Sequence, residues 1–259
     1  MGTDRYAYLS RLRRMDPGGK ILLSLIPVIV CLVCGGVLTG LGTLLIMGAL
    51  TVLWGGIPLK ALLRFLRIPL VFLLIGCLPA LITRAPEGSA YLAGAALFGS
   101  VWGVTWDSLL RAGGIFSKAL GVISAMYFLA LNTPMTDLTL ALGRAHVPRL
   151  FIELMELIYR FIFVLADTAA NIRVAQESRL GYVGFRRSVD SLGALCSMVF
   201  LRAWRKADRI YSALESRGYT DRLVTLEAEY RPGRVCLPLA AGVAAAQLGI
   251  RFLERGLLR

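Results

Sequence analysis

Long apolar runs, separated by short basic clusters, dominate the first half of this chain. The run from Ile21 to Leu59 carries no charged residue and is long enough for two membrane spans, because a spanning helix needs about 20 residues. Gly35 and Gly36 lie near its middle and predict the turn between the two spans. Three further apolar stretches predict one span each: 68–83, 108–131 and 235–250.

The basic residues predict which side of the membrane each segment faces. Residues 132–234 contain 15 of the 29 lysines and arginines, so the positive-inside rule places them in the cytoplasm. Residues 1–20, which include Lys20, are also basic, and this predicts five spans with a cytoplasmic N-terminus. Residues 88–106 are uncharged and glycine-rich. A crossing there would put the basic segment outside, so we expect an external apolar piece; the sequence leaves open whether it enters the membrane.

Residues 148–169 are apolar enough to be taken for another span, but their charges argue against it. Glu153, Glu156, Arg160 and Asp167 are spaced so that they lie on one helical stripe. A charge at the bilayer centre costs about 2.5–3.5 kcal/mol, and each Leu, Ile or Phe offsets only a few tenths of a kcal/mol, roughly 0.3–0.6. We therefore expect this helix at a membrane boundary or a protein interface.

Composition supports a membrane protein. The chain is 57% hydrophobic and 17% charged, with a mean hydropathy of +0.68, whereas soluble domains carry about 25% charged residues. The net charge of +13 fits the positive-inside rule, so no nucleic-acid partner is expected. The predicted fold class is an all-α polytopic membrane protein with about five transmembrane helices and long amphipathic cytoplasmic helices. We expect a membrane domain, a cytoplasmic domain and a C-terminal transmembrane helix: 1–131, 132–234 and 235–259.

Few residues offer chemistry of their own. His146 is the only histidine, so a histidine-based catalytic or metal cluster cannot be built. Cys31 and Cys34 have the C-x-x-C spacing of redox and metal sites, but they lie in an apolar run without a second pair, which favours packing. No phosphate-binding loop or nucleophile elbow is present. We expect no catalytic residue, metal site or cofactor in this chain.

A short internal duplication is the most informative feature. The stretch Glu177–Tyr182, ESRLGY, is echoed by Glu215–Tyr219, ESRGY, and the two arginines are 38 residues apart. Each copy is predicted to close an amphipathic helix of about 32 residues, roughly 48 Å long. One interpretation is two ordinary helix ends, because arginine complements the helix dipole and glycine is a common cap. The other is two equivalent docking arginines for two equivalent partners.

The chain resembles the T component of energy-coupling factor importers, and in particular its cobalt-type branch, CbiQ. The resemblance lies in NTPMTDLTLALGRAHVPRLFIELMELIYRFIFVLADTA and KADRIYSALESRGYTDRL, with TDRYAYLSRLRRMDPGGKILLSL and IPLKALLRFLRIPLVFLL nearer the start. It covers nearly the whole chain and is strongest in 132–222. It implies a non-catalytic coupling subunit that works with two ABC ATPases, which bind the ATP, and with a substrate-binding membrane subunit similar to CbiM. A small accessory membrane subunit is a further possible partner.

In the family this chain resembles, two Ala-Arg-Gly-like motifs end the coupling helices and enter grooves of the ATPases. Ser216, Arg217 and Gly218 match the second motif. Ser178 and Arg179 match the first more loosely, because Leu180 follows. The resemblance implies that closure of the ATPases moves these helices, and that the membrane part then tips the substrate-binding subunit to release its cargo inward.

Other functions remain open at this stage. A membrane-embedded enzyme needs ionisable residues inside its spans, where Lys118 is nearly alone. A membrane adaptor explains the basic helices but not the two matched arginine endings. Cobalt is the cargo that the resemblance implies, with nickel or an organic vitamin as alternatives. The expected location is the inner membrane of a prokaryotic cell, as a multi-pass protein.

Overall fold

The computed structural model describes residues 2–34, 36–81, 83–84, 93–97, 100–219, 230 and 236–257. The chain forms two compact units. Unit 1 consists of Met1–Leu138 and Glu229–Arg259, and unit 2 of Thr139–Ala228. Two predicted boundary residues, Gly35 and the start of the last span at 235, lie outside the described residues.

Unit 1 is built from α-helices. They are α1 (Gly2–Leu9), α2 (Pro17–Cys34), α3 (Val37–Ala49), α4 (Leu59–Leu81), α5 (Trp106–Asn132), the start of α6 (Met135–Arg144) and α9 (Cys236–Leu257). A 3₁₀ turn at Arg11–Arg14 follows α1, and a π-helical turn at Leu50–Trp54 extends α3. Within the described residues, five helices are long and apolar enough to cross a membrane, namely α2, α3 with its π turn, α4, α5 and α9. The predicted number of five spans is confirmed, although α4 begins at Leu59 and not at 68. The protein is a multi-pass membrane protein.

Local sequence explains where the spans begin. Asp16 precedes α2, and its carboxylate accepts a hydrogen bond from the N–H of Gly19 at 3.2 Å. Pro17 takes the first helical position, where a missing N–H costs nothing. Thr105 and Ser108 form a reciprocal capping box at the start of α5. Both starts are therefore specified by residues close to them in the sequence.

Helix α5 is the centre of unit 1. It packs against α1, α2, α3 and α4, while α9 packs against α2 and α3. The closest approach is between α3 and α5, because a Cβ on Gly121 would lie 2.8 Å from the carbonyl oxygen of Gly40, and a Cβ on Gly40 would clash with the backbone of Ser117. Glycine at both positions lets the two helix backbones come into contact.

A small sheet separates α4 from α5. Its strands are β1 (Thr83–Arg84), β2 (Ala93–Leu97) and β3 (Ser100–Val104), paired antiparallel in the order β1–β3–β2. Ala93 is opposite Val104, and Leu97 is opposite Ser100. A transmembrane strand needs about 9–11 residues, so strands of five residues do not span a bilayer. The expected external piece at 88–106 therefore contains a β-hairpin, which the sequence analysis did not predict.

The distribution of side chains in unit 1 fits a lipid environment. Large apolar side chains point outward, such as Val33, Ile68 and Phe72, which are 79%, 78% and 75% exposed. Hydroxyl and amide side chains lie inside instead, including Thr43 and Gln247. A water-soluble protein rarely exposes so much contiguous apolar surface, whereas polar side chains facing the interior of a helix bundle are typical of membrane proteins.

Unit 2 contains two long helices, α7 (Arg149–Glu177) and α8 (Phe185–Glu215), preceded by the end of α6. Helix α7 is not among the helices apolar enough to span. Its stripe of charges has polar partners within the unit: Glu156 accepts a hydrogen bond from the buried Thr139 at 3.0 Å. His146, in the connection between α6 and α7, has a φ of 62°.

Candidate functional site: two matched arginine turns

Helices α7 and α8 form an antiparallel hairpin. Three contacts between them fix the register. Gln176 donates to the carbonyl oxygen of Ser191 at 2.9 Å, the Lys206 ammonium lies 5.7 Å from the centre of the Phe161 ring, and Tyr219 donates to Glu153 at 3.2 Å. As the partner on α7 moves toward the N-terminus, the other partner moves toward the C-terminus, along α8 and then to Tyr219 just beyond its end. The two arginine motifs, which follow α7 and α8, therefore lie at opposite ends of the hairpin.

The first motif forms a tight turn at the end of α7. The N–H groups of Arg179 and Leu180 donate to the carbonyl oxygens of Gln176 and Glu177 at 3.1 and 3.0 Å, and the N–H of Gly181 returns to Gln176 at 2.9 Å. This pattern is a Schellman motif, in which the last helical carbonyls receive partners. The hydroxyl of Ser178 donates to the carbonyl oxygen of Ala175 at 3.0 Å.

The second motif repeats this turn atom by atom. The N–H groups of Arg217 and Gly218 donate to Leu214 and Glu215, both at 3.0 Å, and the N–H of Tyr219 returns to Leu214 at 3.0 Å. The hydroxyl of Ser216 donates to the carbonyl oxygen of Ala213 at 3.1 Å. Every donor and acceptor is offset by 38 residues from its counterpart in the first turn. The two serines and the two arginines are thus structurally equivalent.

The turns differ at the residue after each arginine. Gly218 has a φ of 73°, and Leu180 occupies the same left-handed position with a φ of 56°. The backbone agrees with the sequence match, in which Leu180 follows the first arginine where Gly218 follows the second. Leu180 is therefore the structural counterpart of Gly218, and Gly181 is the extra residue of the first copy, which follows the left-handed position.

Both arginines are available to a partner. Arg179 and Arg217 are exposed, as are Ser178, Ser216 and Gly218. Within the part of the chain that the structure describes, neither guanidinium makes a hydrogen bond or an ion pair. Helix α8 has 31 residues and is therefore about 46 Å long, so the turns at its two ends can reach two separate protein surfaces at once.

Neighbouring side chains hold each turn in place. At the first turn, Tyr182 donates to the Gln176 side chain at 2.9 Å, and Ser191 donates to the carbonyl oxygen of Gly181 at 2.7 Å. Arg173 stacks over the Tyr182 ring, and its hydrogen bond to Glu177 at 2.8 Å raises the pKa of the guanidinium. The second turn has the bond from Tyr219 to Glu153. Contacts within this chain therefore support the backbone around each arginine.

The hairpin also carries a large exposed apolar surface. Neither α7 nor α8 has a buried residue, and Phe185, Phe200 and Trp204 are 87%, 63% and 62% exposed. Patches of this kind mark protein or membrane contacts. Among the described residues there is no group of three or more histidine, cysteine or acidic side chains that could hold a metal ion. The chemistry available at this site is recognition by arginine and by apolar contact.

Comparison with known proteins gives the family. The model of the CbiQ family, described as cobalt transport protein, matches residues 10–226. The chain belongs to the CbiQ family. Residues 10–226 cover four of the five spans and both arginine turns, so the shared pattern includes the hairpin.

Individual relatives agree with this assignment. The cobalt transport protein CbiQ of Salmonella typhimurium is 34% identical over 219 residues, which are 84% of this chain and 96% of that protein. An uncharacterised protein of Methanocaldococcus jannaschii is 30% identical over 230 residues, 89% of this chain and 85% of the relative. A putative fused cobalt transport protein CbiMQ of Methanocorpusculum labreanum is 37% identical over 126 residues, 49% of this chain and 21% of the fused protein.

Proposed function

We propose that this chain is the transmembrane coupling subunit of an energy-coupling factor importer for cobalt, and that it has no catalytic activity of its own. Arg179 and Arg217 each dock one of two ABC ATPase subunits, which bind the ATP. Closure of the ATPases moves the hairpin, and the membrane unit passes this movement to a substrate-binding subunit similar to CbiM. The chain lies in the inner membrane of a prokaryotic cell with its N-terminus and residues 132–234 in the cytoplasm.

One observation carries the proposal most directly: the two arginine turns share the same backbone and serine hydrogen bonds and lie at opposite ends of one hairpin. An ordinary helix end needs only its cap, and nothing in capping requires the same residue types 38 positions later. Two copies of one partner, bound at two ends, require two equivalent contacts. The fused CbiMQ relative supports the second partner, because fusion joins functions that work together.

Arginine is suited to such docking. Its planar guanidinium can donate to a carboxylate and to backbone carbonyl oxygens at the same time, whereas lysine is a single point of charge. The preceding serine hydroxyl is used inside the turn, so the arginine is the chemical group that the turn presents. At the second turn, Gly218 also lets a partner surface come close to the backbone.

The test is co-expression of the tagged chain with its ABC ATPases and a CbiM-like subunit, followed by affinity capture and uptake of radioactive cobalt. Losing one member of a buried charged contact costs about 2–5 kcal/mol, or roughly 30- to 5,000-fold in affinity. Arg217→Ala and Arg179→Ala should each weaken ATPase capture, with Arg217→Ala the more severe because its motif matches the family better. The double variant should release the ATPases while the chain stays folded.

Arg202→Ala is the matched control, because Arg202 is an exposed arginine in the middle of α8 and away from both turns. It should leave capture and uptake unchanged. Normal ATPase capture and normal uptake in the double variant would show that the arginines are helix caps alone. An intact complex that transports nickel or an organic vitamin instead of cobalt would retain the coupling function and correct the cargo.

A further inference from the structure

Lys20 and Asp137 form a buried ion pair in unit 1. The ammonium nitrogen of Lys20 lies 3.6 Å from Oδ2 of Asp137, and the two side chains are 1% and 8% exposed. Lys20 also donates to the carbonyl oxygen of Asn132 at 3.4 Å. Burying two charges carries a desolvation penalty that their attraction often fails to offset. A pair in this position therefore invites an explanation other than stability.

The contact between the two charges is loose. In the part of the chain that the structure describes, Oδ2 of Asp137 accepts no hydrogen bond, so at this atom the pair is held by charge alone. The other carboxylate oxygen, Oδ1, accepts a hydrogen bond from the hydroxyl of Tyr230 at 3.0 Å. Such a contact restrains the position of Asp137 without locking it to Lys20 in one geometry.

The position of these residues in the chain is the decisive observation. Asp137 is in the first turn of α6, and unit 2 begins two residues later at Thr139. The chain returns to unit 1 at Glu229, and Tyr230 is the next residue. The bond between Tyr230 and Asp137 therefore joins the points where the chain leaves and re-enters unit 1, and Lys20 ties both to the first span.

The same cluster reaches three other parts of unit 1. Asn132 is the last residue of α5, and its side chain accepts a hydrogen bond from the hydroxyl of Ser10 at 2.7 Å. Ser10 also approaches the carbonyl oxygen of Gly55, just after α3, at 3.3 Å. Polar contacts therefore connect Asp137 to Lys20 at the start of α2 and, through Lys20, to the end of α5. Ser10 extends this network to Gly55, which follows the π turn after α3.

We propose that Lys20, Asp137 and Tyr230 form the transmission point through which movement of unit 2 reaches the membrane spans, and that they act as positioning residues in transport. This inference rests on the proposed coupling function. The three residues touch neither cargo nor nucleotide. Their role is to hold the segments at Asp137 and Tyr230 against the start of α2 and the end of α5. Movement of the hairpin then displaces these spans and is not lost in the connecting segments.

The experiment compares cobalt uptake per ATP hydrolysed, because this ratio does not depend on the amount of folded complex. The proteins are reconstituted as the complete complex in liposomes. Tyr230→Phe removes one hydroxyl and should lower the ratio about tenfold or more, because a hydrogen bond to a charged acceptor typically controls roughly 10- to 150-fold in an equilibrium. The double variant Lys20→Met, Asp137→Leu replaces the pair by apolar side chains of similar size, a change that often leaves stability intact. It should bind the ATPases and hydrolyse ATP, and its ratio should fall at least as far.

Tyr127→Phe is the matched control, because Tyr127 also donates a hydroxyl bond inside unit 1, to the carbonyl oxygen of Phe65 at 3.2 Å. Its ratio should equal that of the wild type. A wild-type ratio in either Tyr230→Phe or the double variant overturns the proposal and leaves the pair a structural feature. If the double variant does not assemble, Tyr230→Phe decides alone. Failure of the proposed function looks different, since the wild-type chain would then capture no ATPase.

Discussion

Leu180 in the first arginine turn gives a test of the turn geometry that needs no partner protein. Its φ of 56° lies in the left-handed region, which costs a residue with a Cβ about 1–2 kcal/mol. Leu180→Gly removes this cost, while the extra freedom of glycine in the opened chain offsets about 0.5–1 kcal/mol. The expected net effect is a stabilisation of the turn by about 0.5–1 kcal/mol, or roughly two- to fivefold in its opening equilibrium.

Gly218 is the reciprocal position in the same molecule. Gly218→Ala places a Cβ at a φ of 73° and should destabilise the second turn by a similar amount. Amide hydrogen exchange measured by mass spectrometry reports both, because exchange at helix ends follows local opening. Peptides that contain Gly181 and Tyr219 should respond in opposite directions in the two variants, and each unchanged turn serves as the control for the other.

Two outcomes of the exchange experiment would refute this reasoning. If Leu180→Gly accelerated exchange at the first turn, then contacts of the leucine side chain would outweigh its backbone strain. The Leu180 side chain is 64% exposed, so this result would also mean that in solution the side chain makes contacts that this structure does not contain. If neither variant changed the exchange rate, local opening of the turns would leave Leu180 and Gly218 in the left-handed conformation, and backbone strain there would not affect the opening equilibrium.

The membrane unit offers two further tests. Gly121→Leu should lower the unfolding temperature in detergent by forcing α3 and α5 apart, since overpacking costs about 1–3 kcal/mol. Gly114→Ala on the same helix should not lower it, because a Cβ at Gly114 meets open space. Equal effects of the two variants would argue against the close crossing of α3 and α5. Gln247→Leu removes bonds to Thr43 at 2.8 Å and to Pro27 at 3.2 Å, yet should cost less than about 2 kcal/mol, because hydrogen bonds inside membrane proteins contribute about 0.6 kcal/mol on average. A larger loss, measured by denaturant unfolding, would indicate that Gln247 has a role beyond these bonds.

The spans could be predicted from sequence because one signal decides them. A long apolar run without charged residues is more stable in the bilayer than in water, and its length sets the number of crossings. The run Ile21–Leu59 therefore predicted two spans, and the structure has α2 and α3 there, with Gly36 between them. The hairpin at 93–104 was missed for the opposite reason. Its two strands, AGAAL and SVWGV, are rich in small apolar residues and lack an alternating polar pattern. Their pairing depends on contacts between strands that no local signal describes.

The arginine turns were located from sequence but not fully understood. Repeated letters around Arg179 and Arg217 pointed to two equivalent sites, and the hydrogen bonds are equivalent. Glycine is the residue usually found in the left-handed position that follows a helix. The structure assigns that conformation to Leu180 instead. Backbone geometry, fixed by the carbonyl at Gln176 and the bond from Ser191, overrode the residue preference.

Lys20 shows a different limit of sequence reasoning. In the sequence it is one more basic residue before the first span, and the positive-inside rule explains it without a partner. In the structure it is 1% exposed and faces Asp137, which is more than 100 positions away in the chain. No periodicity or motif connects two single residues at that separation. The pairing is visible only once α6 has been placed beside the start of α2.

The proposed docking and transmission functions require opposite physical properties in their residues. A docking arginine must be exposed, charged and free of partners, so its turn has to be held rigid by neighbours such as Tyr182 and Tyr219. A transmission residue must be buried and bonded to several elements, so that a small displacement is not absorbed by solvent. The chain keeps these properties apart by placing arginine at the two ends of the hairpin and the Lys20–Asp137 pair inside unit 1, two residues before the chain leaves that unit. Variants at the docking arginines should therefore change binding of the ATPases. Variants at the transmission residues should change the amount of cobalt taken up per ATP hydrolysed.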